Sequence, residues 1–208
     1  MTSNHIHLLV RDGQEQNVIP TTMQLIAGRT GQEYNQRKKR KGAYWEDRYH
    51  ATIVESGSHL AQCMVYSDLN MVRAGVVSHP SEWTFAGYNE ILNPRQRYGL
   101  IDHDVLLEAL DIGTMEELRE SYSGWVDESL RVGEEGRQAK WTKSIAVGSE
   151  AFVKMVKTEL GSRAIGRDVI AEDGVCELRE ADVSYNANFD WENGGLRPEN
   201  SFFWDISV

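Results

Sequence analysis

Two sets of residues in this chain have types and spacings suited to chemistry. The first is His5 and His7 in Asn4-His-Ile-His-Leu-Leu-Val10. On an extended strand alternate residues share a face, so both imidazoles would point one way and Ile6, Leu8 and Val10 toward a core. Paired neutral imidazoles form a platform for a divalent metal. The second set is His59, Gln62, Tyr66, Asn70 and Arg73. At about 100° per residue these five fall in a helical stripe about 80° wide. Most of the remaining circumference is apolar (Leu60, Ala61, Cys63, Met64, Val65, Leu69, Met71, Val72), with Ser67 and Asp68 as exceptions. Tyr66 and Asn70 stand four residues apart and so are neighbours on one face. A phenol oxygen can attack phosphorus, and an amide oxygen one turn away is a hard ligand for Mg²⁺ or Mn²⁺. If the stripe faces the histidines, a metal could polarise a phosphodiester while the tyrosinate attacks it. The plainer alternatives are one buried and one solvated histidine, and a narrow exposed helix edge with Tyr66 packed at its border.

The elements that must position these groups follow from periodicity and turn chemistry. Residues 5–10 predict a strand, 13–20 a connection, and 21–35 a helix with Met23, Ile26 and Ala27 at helical spacing. A charged turn at 37–42 precedes a second strand over 49–54. Ser56-Gly-Ser58 then offers a cap, and a helix runs over 59–74, closing at Gly75. Pro80 and the segment 83–88 predict a packed irregular stretch. Further helices are expected near 102–110, 114–131 and 149–160. Residues 162–208, rich in Asn, Glu, Gly and aromatics, are compatible with strands or an ordered tail.

Composition narrows the class. The chain has 208 residues, 40% of them hydrophobic, and six tryptophans. No apolar run approaches the length of a membrane span, and no basic segment opens a signal peptide. Cys63 and Cys176 stand far apart, which favours free thiols and a cytoplasmic setting. The net charge of −10 is unevenly spread. Residues 1–100 carry 11 Lys+Arg against 9 Asp+Glu, and residues 101–208 carry 11 against 23. Arg37, Lys38, Lys39, Arg40 and Lys41 form one basic run. Such an asymmetry fits a DNA-contacting module joined to an acidic one, and the run alone also fits a solvated loop. Tyr44 and Trp45 are candidate stacking residues beside it. Core roles are expected for Trp45 and Trp83. Glu46 and Arg48 read as a surface ion pair or as support for metal ligands or DNA. Arg73 reads as a phosphate contact or as a charge at a helix C-terminus.

Four blocks in order resemble one family: the His5–His7 segment, Tyr44-Trp-Glu-Asp-Arg-Tyr49, Tyr66-Ser-Asp-Leu-Asn-Met-Val-Arg-Ala-Gly75, and the segment from Trp83 to Tyr88. They resemble the REP-associated tyrosine transposases, a branch of the single-tyrosine His-hydrophobic-His transposases that act on single-stranded DNA. Ile145-Ala-Val-Gly-Ser-Glu-Ala-Phe152 is similar to C-terminal extensions in that group. The resemblance implies an α+β fold with a ferredoxin-like antiparallel sheet backed by helices over 1–95, a mainly helical extension over 100–162, and a tail over 163–208. It implies metal ligation of Mg²⁺ or Mn²⁺ by His5, His7 and Asn70, with Tyr66 as nucleophile. Arg37, Lys38, Lys39, Arg40, Lys41, Arg48 and Arg73 would contact DNA. It implies cleavage to a 5′-phosphotyrosine and a free 3′-OH, reversed to rejoin strands, on REP-like hairpin DNA in a bacterial cytoplasm. A homodimer is compatible with it. Relatives usually carry about fifty further residues before the histidine strand, whose absence would expose an unpaired strand edge. A truncated, non-catalytic single-stranded DNA-binding relative is therefore the alternative expectation, and an acidic protein-binding module a third.

Overall fold

The computed structural model describes residues 6–13, 17–46, 48–133, 136–172 and 174–180. Helix α1 (Val18–Lys38) starts with Pro20 inside its first turn, where a missing N–H costs nothing. It ends with Arg37 and Lys38 on the negative end of its dipole and with Lys39 left-handed at φ 50°, its N–H turned back to the last carbonyls. No residue of α1 is buried, and Val18, Leu25 and Ile26 are exposed. The helix is pinned by its own return loop. The Trp45 indole N–H donates to the Ala27 carbonyl at 3.0 Å, and the Asn35 amide donates to the Gly42 carbonyl at 2.9 Å. Tyr44 packs tilted against Tyr34 and edge-on to Trp45, with ring centroids 4.6 and 4.9 Å away.

After the short strand β1 (Ile53–Val54) come α2 (Ser58–Asp68) and α3 (Asn70–Arg73). A 3₁₀ turn (Pro80–Glu82), α4 (Gly87–Leu92), α5 (His103–Leu110) and α6 (Met115–Val132) follow. Asp102 and Thr114 cap α5 and α6 by accepting from the N–H groups of Val105 and Glu117, and Gly133 ends α6 in the left-handed region. Leu118, Tyr122 and Val126 form one four-spaced stripe that is wholly buried. Against it pack Met64, Val65 and Leu69 from α2 and the turn after it, Tyr88 and Ile91 from α4, and Leu106 and Leu110 from α5.

The second layer comes from α7 (Lys140–Lys143), β2 (Ala146–Gly148), α8 (Glu150–Leu160), β3 (Arg167–Glu172) and β4 (Val175–Glu180). Its sheet runs β1-β2-β4-β3. Ile53 pairs in parallel with Ala146, β2 pairs antiparallel with β4, and β3 and β4 form a hairpin. Val153 and Val156 of α8 cover Ala146, Cys176 and Leu178. Ser149 caps α8, and Glu55, next to β1, accepts from the Ser149 hydroxyl at 2.9 Å and from its N–H. Glu55 therefore places a carboxylate at the positive end of α8 and ties the edge strand to it.

The α+β class expected from the sequence is what forms. The sheet, however, is mixed rather than all antiparallel, and three of its four strands lie between residues 146 and 180: one in the expected helical extension and two in the expected tail. Residues 6–10 form no strand; Leu8 is 54% and Val10 56% exposed, so the alternation points no face into a core. Alternation alone cannot supply a pairing partner, and none lies alongside among the described residues. The second strand shrinks to Ile53–Val54 for the same reason. The helix expected over 59–74 is interrupted at Leu69. The boundary expected near 95–100 is crossed by packing of α2 and α4 against α5 and α6. Within 162–180 the hairpin forms; residues 181–208 lie outside the described residues, as does His5.

A side chain at Gly148 has no room. Its Cβ would come within 2.6 Å of the Phe152 ring and 2.8 Å of the Glu55 Cβ. Gly148→Ala is expected to cost about 1–3 kcal/mol in urea unfolding. Gly28→Ala on α1, where the added Cβ meets nothing within 4 Å, is expected to be stabilising by up to about 1 kcal/mol.

Candidate functional site

Tyr66 occupies the seam between the helical layer and the sheet, only 6% exposed, clustered with Trp141 and Val147. Three groups define its ring. His7 meets it edge-on, with centroids 5.9 Å apart and planes at 85°. The Arg73 guanidinium lies 3.9 Å from the ring centroid, and its Nη2 donates to the Tyr66 carbonyl at 2.7 Å. Trp141 stands 6.1 Å away, tilted by 39°. Edge-to-face and cation–π contacts of these kinds contribute about 0.5–2 kcal/mol each. Burial pulls the Arg73 pKa down, and the Tyr66 phenol against it opposes that shift.

His7 and Asn70 line one small cavity of about 70 Å³ beneath Trp83 and Phe85. The structure thus sets His7 beside Tyr66 on one hand and on a shared cavity with Asn70 on the other, and Tyr66 does not line that cavity. Asp68 lines the same cavity. Its carboxylate accepts from the Gly87 N–H at 2.8 Å and from the Tyr122 hydroxyl at 2.7 Å, so it fixes the start of α4 and the middle of α6 on the end of α2. Burial pushes the Asp68 carboxyl up from its ordinary value, against the hydrogen bonds from Tyr122, Gly87 and Tyr88. Burial, then the neighbouring Asp68 charge, pushes the Tyr122 phenol well above its ordinary value. Burial raises the Cys63 thiol to about 11, which keeps it protonated and non-nucleophilic at neutral pH.

The other expected residues scatter. Of the stripe, His59 Nε2 stands 3.6 Å from the Glu55 carboxylate and Gln62 is exposed. Arg37, Lys38, Lys39, Arg40 and Lys41 are exposed at the end of α1, and Arg40 donates to the Ala43 carbonyl at 3.0 Å. Arg48 and Glu46 are exposed. Tyr44 and Trp45 are half-buried, their rings spent on α1 and on each other. Trp83 is half-buried, 5.6 Å from Phe85. Arg73 has its guanidinium on Tyr66 rather than at an open helix end. Among the described residues no three His, Cys, Asp or Glu side chains converge as a metal site. His7 and Asn70, two of the three expected ligands, share a cavity, and the third, His5, lies outside the described residues.

Sequence reasoning missed Asp68 and Trp141. For Asp68 a signal existed: an acid inside the apolar arc of a helix must find donors when that arc is buried. No protein family, curated protein or solved structure matches the chain.

Tyr122→Phe removes one donor from the Asp68 carboxylate and is expected to cost about 1–3 kcal/mol at pH 7. Because the folded-state pKa of Asp68 is raised, the stability linked to its protonation is present at low pH and is lost as pH rises through the folded value. The deficit of Tyr122→Phe should therefore shrink as pH falls into the acid range and Asp68 is protonated, which paired urea titrations at several pH values would show.

Proposed function

We propose that the chain binds hairpin-bearing single-stranded DNA and cleaves and rejoins it through Tyr66. The observation that carries this is the edge-on contact of His7 with Tyr66, beside a cavity that His7 shares with Asn70. His7, about sixty residues before Tyr66 in the chain, thus touches the candidate nucleophile and shares a cavity with a second candidate ligand. The Tyr66 oxygen loses its proton to solvent and attacks phosphorus. The bond to the 3′ oxygen breaks, leaving a 5′-phosphotyrosine and a free 3′-OH, and attack by a 3′-OH on that linkage reverses the step. No external energy source is needed, because one phosphoester replaces another. His5, His7 and Asn70 would hold a divalent cation, Mg²⁺ or Mn²⁺, which polarises a phosphoryl oxygen when bound. Arg73 lies over the ring of the phenol, while Arg37–Lys41 and Arg48 offer exposed charge for phosphates. REP-like hairpins, a bacterial cytoplasmic setting and a homodimer belong to the same reading.

A second reading, DNA binding without cleavage, is favoured by one feature. Tyr66 is 6% exposed with Trp141 against it, so a phosphate reaches the phenol only if this packing yields.

Incubation with Mg²⁺ and a hairpin oligonucleotide carrying a single-stranded flank should give a denaturation-resistant protein–DNA adduct that Tyr66→Phe abolishes. His7→Ala and His5→Ala should remove cleavage while DNA affinity changes by no more than about threefold, since phosphate contacts supply most of it. DNA binding with no adduct leaves the second reading, and an adduct that survives Tyr66→Phe contradicts the first.

A further inference from the structure

A cleft of about 850 Å³ with Tyr66 in its lining opens between α2 and the β3–β4 hairpin. Gln62, Tyr66 and Arg73 form one wall, Trp125 of α6 closes an end, and Lys140 and Arg179 stand on the wall built by α7 and β4. Its volume lies in the range of clefts that engulf small ligands.

The charges in this cleft are unevenly satisfied. Glu177, 4% exposed, takes the Ser144 hydroxyl at 2.6 Å, and Glu128 is held by two bonds from Arg131 at 2.7 and 2.9 Å. Glu172 is left at the exposed end of β3. On the cationic side, the Arg179 Nε is buried with no hydrogen-bond partner among the described residues, and its Nη1 stands 4.0 Å from Glu177. Lys140 forms no ion pair among the described residues and lies 5.1 Å above the Trp141 ring. The Arg179 side chain is 22% exposed, so its guanidinium, held only by a long contact to Glu177, has donor capacity left for an incoming oxygen. Phosphodiester oxygens suit such donors, and a half-buried indole beside them offers a face on which any base can stack.

We propose that this cleft holds the single-stranded stretch of polynucleotide next to Tyr66, with Arg179 and Lys140 on its phosphates and Trp125 against a base. The inference rests on the DNA-processing function proposed above and gives the β3–β4 hairpin a role in it: the hairpin is the outer wall of the strand-binding cleft.

The test compares two fluorescent oligonucleotides by anisotropy across a salt series, one a hairpin with a single-stranded flank and one the same hairpin without it. Arg179→Gln and Lys140→Gln should each weaken binding of the flanked hairpin about tenfold. Each should lower the slope of log affinity against log salt by about 0.7, the contribution of one single-strand phosphate contact. Binding of the flankless hairpin should be unchanged. Trp125→Leu should weaken the flanked hairpin without altering the slope. A thermal melt identifies any loss of folding in Arg179→Gln, and Lys140→Gln, on the short surface helix, remains the deciding variant. Wild-type affinity and slope in Lys140→Gln and in a folded Arg179→Gln would overturn the inference while leaving the proposed function standing. Absence of wild-type binding to either oligonucleotide would overturn both. Displacement of the flanked hairpin by polyglutamate at equal charge concentration would reassign the cleft to an acidic protein partner and overturn the polynucleotide reading.

Discussion

The rest of the structure depends on how α2 is rotated about its own axis. One face sends Met64 and Val65 into the helical core, and the neighbouring residue, Tyr66, goes the other way, into the seam with Trp141 and Val147. A one-residue slip, about 100° of rotation, would exchange those destinations and drive the phenol into the already filled helical core. Asp68 resists that slip. Its carboxylate is bonded to the start of α4 and to Tyr122 at the centre of α6, so rotating α2 would strand a buried charge. The same aspartate therefore fixes both the packing of the helical layer and the direction of the tyrosine.

The opposite side of the site is held far less firmly. The segment carrying His7 has exposed Leu8, Leu9 and Val10 and no strand partner among the described residues. The His7–Tyr66 edge contact contributes about 1 kcal/mol, and the exposed Arg11–Glu108 pair at 3.3 Å further along the segment adds at most about as much. A cation or a nucleic-acid strand engaging His7 would add its binding free energy to the folded arrangement and sharpen this half of the site. The tyrosine is thus held by the core, whereas the imidazole sits on a segment with an exposed apolar run.

Helices were legible where capping and spacing agree. Asp102, Thr114 with Glu117, and Ser149 each begin a helix close to where their side chains predict, and Leu118, Tyr122 and Val126 face inward as their spacing requires. The sheet was not legible, because β1 and β2 are two and three residues long and pair across about ninety residues of sequence. Nothing local encodes that pairing; Glu55 reaching Ser149 and the bare Cα of Gly148 make it possible. At the site, the shared side of Gln62, Tyr66 and Arg73 could be read from spacing, whereas Asn70 of the same stripe lines a separate cavity with His7. The role of Arg73 could not, since a guanidinium folded back onto a ring looks in sequence like a charge at a helix end. His7 approaches Tyr66 without the strand that was expected to carry it there.

The most direct measurement of the central geometry is a titration with Mn²⁺, followed through paramagnetic broadening of side-chain resonances. Selective loss of the His7 imidazole, Asn70 side-chain amide and Tyr66 ring signals at low Mn²⁺, with His103 on α5 unaffected, is the expected result. Broadening confined to the acidic side chains of residues 101–180, with His7 and Asn70 left sharp, would contradict a shared cation site beside the tyrosine.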